Sequence, residues 1–589
     1  MSVHHARARR RWAALTATAV VLAACTPGAD SPGSSDGTGS QTGTDGSSDG
    51  GGDPAGEGGE GSDTPAAAPV ADPEQTVLAG GTAAELSVEA SRAFFESAPV
   101  VVVAAQDEQL AAASAGVALG VPVLVDGPGV AEEVERLGAE TALTVGPVED
   151  PGVDVLAVED AQALAEVLDV EGPAEPVPDG EQVQALVGLE PGARTVLTGA
   201  DQDDTPPGAD TDAATRTAGD PAGQTEAPAE PLESDVEELP ETSAPEPVDG
   251  VTVMTTGVDR DVAAVASARA VGAPVLVVPE GDPRATSETV QALADADPRT
   301  VIGIGEEFGA AQTLAWRAQT AATGVELPGG GQLVLPDKTY VALYGNPTTS
   351  SLGVLGEQGP EETVERAEEV AAPYADLTDE PVVPALEIIA TVASSDAGAD
   401  GNYSNEMDLE TLRPLVDLAE EHGMYVVLDL QPGRTDFLTQ AKVYEELLRR
   451  PHVGLALDPE WRLGPSEVHL QQIGQVDVAE VDAVVDWLAD LTRDHDLPQK
   501  MLVLHQFQTR MIPGADEVDQ SRTEVAVLIH ADGQGAQADK QGTWRSLHDH
   551  APSVPYWGWK NFYDEDLPGP LSPEQTMQVE PTPDFISYQ

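Results

Sequence analysis

Residues 453–461 read VGLALDPEW, an apolar run that ends in the acidic residues Asp458 and Glu460. A run of this length without polar residues is typical of a strand that is covered on both faces, as in a parallel sheet. Residues 424–433, MYVVLDLQPG, show the same pattern with Asp429 near the end. The stretch therefore predicts parallel strands whose carboxyl ends carry acidic side chains.

Seven such runs follow the glycine-rich break at 329–331, with amphipathic helical stretches between most of them. They are residues 340–344, 382–392, 424–430, 453–457, 501–504, 525–529 and 554–559. Strands that alternate with helices over about 250 residues are typical of a (β/α) barrel. We therefore expect a (β/α)-barrel-like domain over 335–589, and an open parallel sheet is the competing topology.

Polar side chains stand at the carboxyl ends of these strands, and in a barrel such ends meet at one mouth. We expect them to share a cleft. Tryptophans beside the carboxylates offer flat faces for stacking on sugar rings. The candidate catalytic residues are Glu460, Asp429, Asp532, Asp458 and His530, and the candidate substrate-binding residues are Trp461, His505, Gln431, Trp557, Trp559, Lys560 and Asn346.

Hydrolysis of a glycosidic bond needs one protonated and one ionised carboxyl group. We expect Glu460 to be the acid, because Pro459 and Trp461 place apolar surface beside it and would raise its pKa. Asp532 or Asp429 would be its partner. If the strand continues through Pro459, Asp458 lies on the same side as Glu460. The layout resembles a glycoside-hydrolase barrel in architecture alone.

Metal chemistry is the rival use of the same side chains, since His505, His530, Asp458 and Asp532 are all ligand types. The nearest approach to a metal-binding pair is His548 and His550, in a segment that looks like a polar loop. We predict neither a metal nor a cofactor. The pattern Gly-x-Ser-x-Gly occurs at 33–37 and 46–50, both in the predicted linker, so no nucleophile elbow between a strand and a helix is expected.

An internal repeat precedes the barrel region. Residues 107–125 and 259–277 align without a gap: DEQLAAASAG matches DRDVAAVASA, and GVPVLV matches GAPVLV. Each copy predicts strand, helix, strand, helix, strand with parallel pairing, a Rossmann-like α/β unit. Neither copy has a Gly-x-Gly-x-x-Gly turn, so a dinucleotide site is not expected.

These repeats resemble the type 2 cell-wall-binding repeat of Gram-positive surface proteins, over roughly 76–326. The resemblance implies non-covalent attachment to cell-wall polysaccharide or a peptidoglycan-linked polymer. A stretch rich in Pro, Glu, Asp and Thr at 202–249 is expected to be a disordered acidic insertion within this region.

The N-terminus carries four arginines and then an apolar run too short to span a bilayer, ending in Leu-Ala-Ala-Cys25. It resembles a bacterial lipoprotein signal, which implies a signal peptide at 1–24, lipidation of Cys25, export, and a lipid anchor in the outer face of the cytoplasmic membrane. Residues 25–75, rich in Gly, Ser and Asp, are expected to be a disordered linker.

The chain of 589 residues has a formal charge of −75. A surface with this negative charge repels the phosphates of nucleic acid, so nucleic acid is excluded as a partner. Cys25 is the single cysteine, so an intramolecular disulfide is excluded as well.

Together these patterns predict an exported, membrane-anchored, cell-wall-associated lipoprotein whose barrel is a glycan hydrolase with paired carboxylates. The alternative is a non-catalytic wall-binding scaffold or adhesin lipoprotein. A solute-binding lipoprotein is a third possibility.

Overall fold

The structure, a computed structural model, describes residues 66–170, 172–200 and 232–589. The predicted signal peptide 1–24, the predicted lipidation site Cys25 and the first part of the predicted linker lie outside the described residues. Residues 202–231 of the predicted acidic insertion, and Asp201 just before it, lie outside them too.

The N-terminal half alternates short strands with short helices. Its strands are β1 Ala68–Pro69, β2 Thr76–Leu78, β3 Phe95–Ser97, β4 Val100–Ala104, β5 Val123–Val125, β6 Thr141–Val145, β7 Asp154–Val158, β8 Glu175–Val177, β9 Leu197–Gly199, β10 Val251–Thr255, β11 Val275–Val277 and β12 Thr300–Ile304. Its helices are α1 Ala83–Phe94, α2 Gln109–Leu119, α3 Val130–Leu137, α4 Ala161–Val167, α5 Gln182–Val187, α6 Val262–Ala270, α7 Ser287–Ala296 and α8 Ala311–Ala322.

Each repeat copy builds one parallel sheet. The described strands of the first copy form the order β5-β4-β6-β7, and those of the second form β11-β10-β12-β2. The edge strand β2 comes from a segment that precedes both copies and pairs parallel with β12. The predicted α/β architecture with parallel pairing is therefore confirmed.

Small residues let the two copies pack closely. The repeat helices α2 and α6 are almost entirely buried and consist mainly of alanine. Gly116 leaves no room for a side chain, since a Cβ there would lie 2.1 Å from Cγ2 of Val123. The backbone N–H of Val123 donates to Oγ of Ser267 at 3.1 Å, a bond from one copy to the other.

Two segments expected to be disordered make ordered contacts. In the predicted linker, β1 pairs antiparallel with β3. In the predicted insertion, the backbone N–H of Asp235 donates to the carbonyl of Val155 at 2.7 Å, and Leu232, Val236 and Leu239 pack on the apolar core. The expectation of disorder is thus wrong for 66–75 and 232–249, because their few apolar residues find partners on the sheets.

The C-terminal half has longer strands, separated by helices. Its strands are β13 Thr339–Gly345, β14 Val382–Ala393, β15 Ser404–Glu406, β16 Tyr425–Leu430, β17 Val453–Leu457, β18 Lys500–Gln506, β19 Val525–Ala531, β20 Tyr556–Asn561 and β21 Phe585–Tyr588. Its helices are α9 Pro360–Ala371, α10 Leu409–Glu421, α11 Phe437–Ala441, α12 Glu445–Leu448, α13 Val478–Asp494, α14 Gln537–His550 and α15 Pro573–Thr576. None of the helices in the described ranges is both long enough and apolar enough to span a membrane.

Eight of these strands, all within the described residues 335–589, close into a parallel barrel. The order runs β13-β14-β16-β17-β18-β19-β20-β21, and β21 pairs with β13 to complete the ring. The short strand β15 adds to β14 in antiparallel fashion. The predicted (β/α) barrel is confirmed, and the open sheet is excluded.

The barrel interior is apolar at one end and polar at the other. Inward-facing residues such as Tyr340, Ala385, Val427, Val503 and Leu528 form a buried apolar cluster. Leu327, Val334 and Leu335, from the segment before the barrel, join this cluster. Because side chains alternate along a strand, the next inward position toward the carboxyl ends forms a separate layer, which is polar.

Candidate active site

Each of the eight strands contributes one polar side chain to this upper layer, which we call the polar layer. Its members are Tyr344, Glu387, Asp429, Asp458, His505, His530, Lys560 and Ser587, all buried. The strand register places neighbours side by side, as in the pairs Tyr344 with Glu387, His505 with His530, and Lys560 with Ser587. Gly558 leaves space for the ring of His530, since a Cβ there would lie 2.5 Å from its Cδ2.

A cavity of about 570 Å³ opens above the polar layer. Of the residues predicted from the sequence, Asp458, Glu460, Asp532, Trp461, Gln431 and Lys560 line it. Tyr344, Phe507 and Phe562 line it as well. Three of the four predicted carboxylates and one predicted tryptophan thus share one cleft, as the barrel geometry requires.

Glu460 lies in a tight turn, Pro459–Trp461, that follows β17. The strand ends at Leu457, so the condition that it continues through Pro459 is not met; proline has no N–H for a ladder bond. Oδ1 of Asp458 instead accepts from the backbone N–H of Glu460 at 3.1 Å. Burial, and then the negative charge of Asp532, raise the pKa of Glu460 to about 7.

Asp532 has the opposite protonation preference. Burial acts to raise its pKa, but the hydrogen bond and charge of His505 outweigh burial and hold the pKa of Asp532 below its ordinary value. Nδ1 of His505 lies 3.0 Å from Oδ2 of Asp532. The cavity therefore presents one carboxyl group that is readily protonated and one that stays ionised.

Asp429 and Asp458 differ from Asp532. Asp429 is fully buried below the cavity and accepts from the phenol of Tyr344 at 2.9 Å. Burial raises the pKa of Asp429 to about 6. Burial, together with the charge of Asp429, raises the pKa of Asp458 well above its ordinary value. Of the two predicted partners of Glu460, Asp532 is the one that reaches the cavity.

The two predicted histidines lie in the layer beneath the cavity. Nε2 of His505 is 2.7 Å from Oε1 of Glu387. Nε2 of His530 is 3.2 Å from Oγ of Ser587, and burial, then the charge of His505, lower the pKa of His530 well below its ordinary value. His505 thus contacts two carboxylates, and His530 is neutral.

Glu387, His505 and His530 each offer one ligand atom within 4.8 Å of the others, close enough to hold a metal ion. However, both ring nitrogens of His505 already face carboxylate oxygens at hydrogen-bond distance. Direct hydrogen bonds of this kind favour an ion-pair cluster over a metal site. His548 and His550 belong to helix α14, which corrects the expectation of a polar loop.

Trp557 and Trp559 do not line the cavity. Both are buried between the barrel and α14, where Trp544 stacks edge-on against them at 5.9 and 5.6 Å. Asn346 is also away from the cavity, and its Nδ2 donates to the carbonyl of Ile389 at 3.2 Å. These three are structural residues, and their prediction as substrate contacts is wrong.

Sequence reasoning did not select Tyr344, Glu387, Phe507, Phe562 or Ser587. Glu387 carried a usable signal, because it is the single charged residue in the apolar run 382–392. The aromatic residues carried no such signal, since a phenylalanine just after a strand is as typical of the core as of a binding site.

A second cavity of about 570 Å³ lies behind the Glu460 turn and contains Arg434, Arg462 and Arg510. Arg462 forms a bidentate ion pair with Glu480, at 2.9 and 3.1 Å. Nη2 of Arg434 donates to the carbonyl of Glu467 at 2.7 Å. These arginines hold the 462–476 loop, so the cavity above the polar layer is the better candidate for chemistry.

No protein-family model and no curated protein sequence matches this chain. Five chains of solved structures match it, and one of them is Cwp6 from Clostridium difficile. That match has 13% sequence identity and a TM-score of 0.29, and it covers 62% of this chain and 63% of the other. The chain therefore spans less than two thirds of the length of that structure. A likeness at this level supports no statement about the site.

Proposed function

We propose that the barrel is a glycoside hydrolase in which Glu460 is the general acid and Asp532 is the ionised carboxylate. The observation that carries the proposal is that Glu460 and Asp532 line one cavity, where burial raises the pKa of Glu460 while His505 outweighs burial and lowers the pKa of Asp532. Pairs of groups whose surroundings push their pKa values apart are the mark of acid and base assignments.

In this reaction Glu460 gives its proton to the glycosidic oxygen as the bond from that oxygen to the anomeric carbon breaks. Asp532 either attacks the anomeric carbon or removes a proton from the water that attacks it. In both cases one water is consumed, its oxygen becomes the new hemiacetal hydroxyl, and Glu460 and Asp532 return to their starting states. The separation of the two carboxyl groups selects between the two routes.

The remaining cavity walls suit a sugar. Trp461, Phe507 and Phe562 provide flat apolar surface, which packs on the apolar faces of pyranose rings. Gln431 and Lys560 provide donors for hydroxyl or carbonyl oxygens. The cavity thus combines apolar faces with fixed polar groups, as ligand-binding clefts do.

The proposed substrate is cell-wall polysaccharide or a peptidoglycan-linked polymer, reached by a lipoprotein anchored through Cys25. This part rests on the sequence resemblances of the N-terminus and the repeats. Expressing Cys25→Ser and measuring its distribution tests it: the protein should move from the membrane fraction to the medium. Equal retention of the variant and the parent in the membrane fraction would contradict lipid anchoring.

The catalytic proposal is tested by incubating the purified chain with purified wall polysaccharide and measuring new reducing ends. Glu460→Gln and Asp532→Asn should each lower the rate by about 10² to 10⁴. The matched controls are Glu421→Gln and Asp494→Asn, which remove exposed carboxylates and should leave the rate unchanged. Binding of the polymer without cleavage by the parent would replace the hydrolase with the non-catalytic scaffold or adhesin.

A further inference from the structure

His505 occupies the centre of the polar layer and links two carboxylates. It lies on β18, and its side chain is fully buried. Nε2 is 2.7 Å from Oε1 of Glu387, and Nδ1 is 3.0 Å from Oδ2 of Asp532. Glu387 is also fully buried and does not line the cavity, whereas Asp532 does. The hydrogen-bonded series Glu387–His505–Asp532 thus runs from the barrel interior to the cleft.

The hydrogen-bond pattern matches a positively charged ring. An ionised carboxylate only accepts hydrogen bonds, so each ring nitrogen that faces one must donate. Neutral imidazole has one donor, whereas imidazolium has two. If Glu387 and Asp532 are both ionised, His505 carries a proton on both nitrogens, and charge-assisted bonds of this kind are short and strong.

The surrounding groups are consistent with one cation at this position. Tyr344, Asp429, Asp458, Glu460 and His530 interact with His505 from the other strands and strand ends. Nζ of Lys560 lies beyond them, 3.3 Å from the centroid of the Tyr344 ring. The ring of His530 is 4.9 Å away, and the charge of His505 is one cause of its lowered pKa, after burial. Burial disfavours the charged form of His505, but Glu387 and Asp532 together raise its pKa well above the ordinary value.

Asp532 is fixed through one oxygen. Oδ2 faces Nδ1 of His505, whereas Oδ1 is buried and has no hydrogen-bond partner among the described residues. A carboxylate anchored in this way keeps its orientation at the cavity wall. Positioning of this kind depends on His505, and His505 depends in turn on Glu387.

We propose that Glu387 and His505 are positioning residues of this site: Glu387 holds His505 as an imidazolium, and the imidazolium keeps Asp532 ionised and fixed at the cavity wall. This inference rests on the proposed hydrolase. In this proposal no proton is transferred between Glu387, His505 and Asp532 during turnover, because His505 keeps both of its ring protons throughout the reaction.

The test reads the protonation of His505 directly, by ¹⁵N nuclear magnetic resonance of the full chain with labelled histidine. The signal is assigned by its loss in His505→Gln. In the parent, both nitrogens should stay protonated as the pH passes through and well above the ordinary histidine pKa of about 6.5. Titration of His505 near 6.5 would overturn the proposal.

Glu387→Gln keeps an oxygen acceptor for Nε2 but removes the charge. It should lower the pKa of His505 and raise that of Asp532, so the acid limb of kcat/KM moves to higher pH. At pH 5, only the ionised fraction of Asp532 is active. Once the pKa of Asp532 exceeds 5, kcat should fall about tenfold for each further pKa unit, while KM changes little. Glu387→Asp, which keeps the charge, should recover part of the loss.

The outcomes separate the two proposals. An imidazolium at His505 in a protein that cleaves no glycan would overturn the hydrolase and leave the ion-pair chain intact. Unchanged His505 protonation and kcat in folded Glu387→Gln would overturn the positioning role. A divalent ion that binds the parent stoichiometrically and is lost in Glu387→Gln would also overturn it, since His505 would then be a metal ligand. If Glu387→Gln does not fold, the parent spectrum alone decides.

Discussion

The backbone N–H of Glu460 donates to Oδ1 of Asp458 at 3.1 Å, across the turn that ends β17. This bond fixes the direction in which the chain leaves the strand and thereby the position of the Glu460 carboxyl at the cavity. Asp458, predicted as catalytic, is better described as the residue that positions the acid. It is neutral in this setting, because burial and the charge of Asp429 raise its pKa.

Asp458→Ala should therefore reduce hydrolysis and also destabilise the turn. Loss of a capping side chain costs about 1 kcal/mol of unfolding free energy, measured by denaturant unfolding. Asp458→Asn retains the acceptor oxygen and should keep most of the stability and most of the rate. Equal rate losses in the two variants would show that Asp458 acts through its acidity instead.

The pH dependence of kcat/KM should follow the two carboxyl groups. Hydrolysis needs the proton on Glu460, so the rate should fall as pH rises through about 7. It needs Asp532 ionised, and because the pKa of Asp532 is held below its ordinary value, the rate should stay level down to about pH 4. A rate that rises above pH 7 would contradict these assignments.

Lys560 offers a check on that profile. Its charge lowers the pKa of both Glu460 and Asp532, and its Nζ lies 3.3 Å above the ring of Tyr344. Lys560→Met removes the charge, so both limbs of the profile should move to higher pH. A profile that keeps both limbs in place would show that Lys560 does not act on these groups.

The tryptophans should separate into two classes. Trp559 is buried against Trp544, so Trp559→Ala should lower the unfolding free energy by about 3–5 kcal/mol. Trp461 lines the cavity, and Trp461→Ala should raise KM roughly fivefold, equivalent to about 1 kcal/mol, with little loss of stability. Urea unfolding measures stability, and steady-state kinetics measure KM. A loss of stability in Trp461→Ala, together with a raised KM and no loss of stability in Trp559→Ala, would contradict the assigned positions.

Lys500, at the opposite end of the barrel, should make stability depend on pH. It is fully buried, its Nζ donates to the carbonyls of Arg450 and Pro451, and burial lowers its pKa to about 7. Between pH 7 and the ordinary lysine pKa of about 10.4, the unfolded chain binds more protons than the folded one, so stability rises with pH.

The contribution of Lys500 is at most about 1.4 kcal/mol per pH unit. Urea unfolding of the parent and of Lys500→Met, compared from pH 7 to 9, should show a smaller rise in the variant. Parallel curves would show that Lys500 does not titrate in this range.

The barrel was predictable because its strands are apolar runs with polar residues at one end, repeated at regular spacing. The eighth strand, β21, was missed: Phe585–Tyr588 is four residues long, and residues 580–584 just before it, EPTPD, look like a loop. Tertiary pairing with β13 and β20, not local pattern, makes this segment a strand.

Part of the site was predictable from the alternation of side chains between the two faces of a strand. Trp557 and Trp559 fall on one face of β20, and Gly558 and Lys560 on the other, so the tryptophans and Lys560 cannot all point into the barrel. Pro459 likewise signals the end of β17. Which of Asp429 and Asp532 reaches the cavity depends on depth in the barrel, and the sequence pattern carries no information on depth.

The most direct test of the account is hydrolysis of purified wall polysaccharide in H₂¹⁸O, with mass spectrometry of the new reducing ends. The account predicts one ¹⁸O at each new anomeric position with the parent protein, and a loss of labelled ends in Glu460→Gln and Asp532→Asn but not in Glu421→Gln. Labelled ends that form at the same rate with all four proteins, or with none, would contradict it.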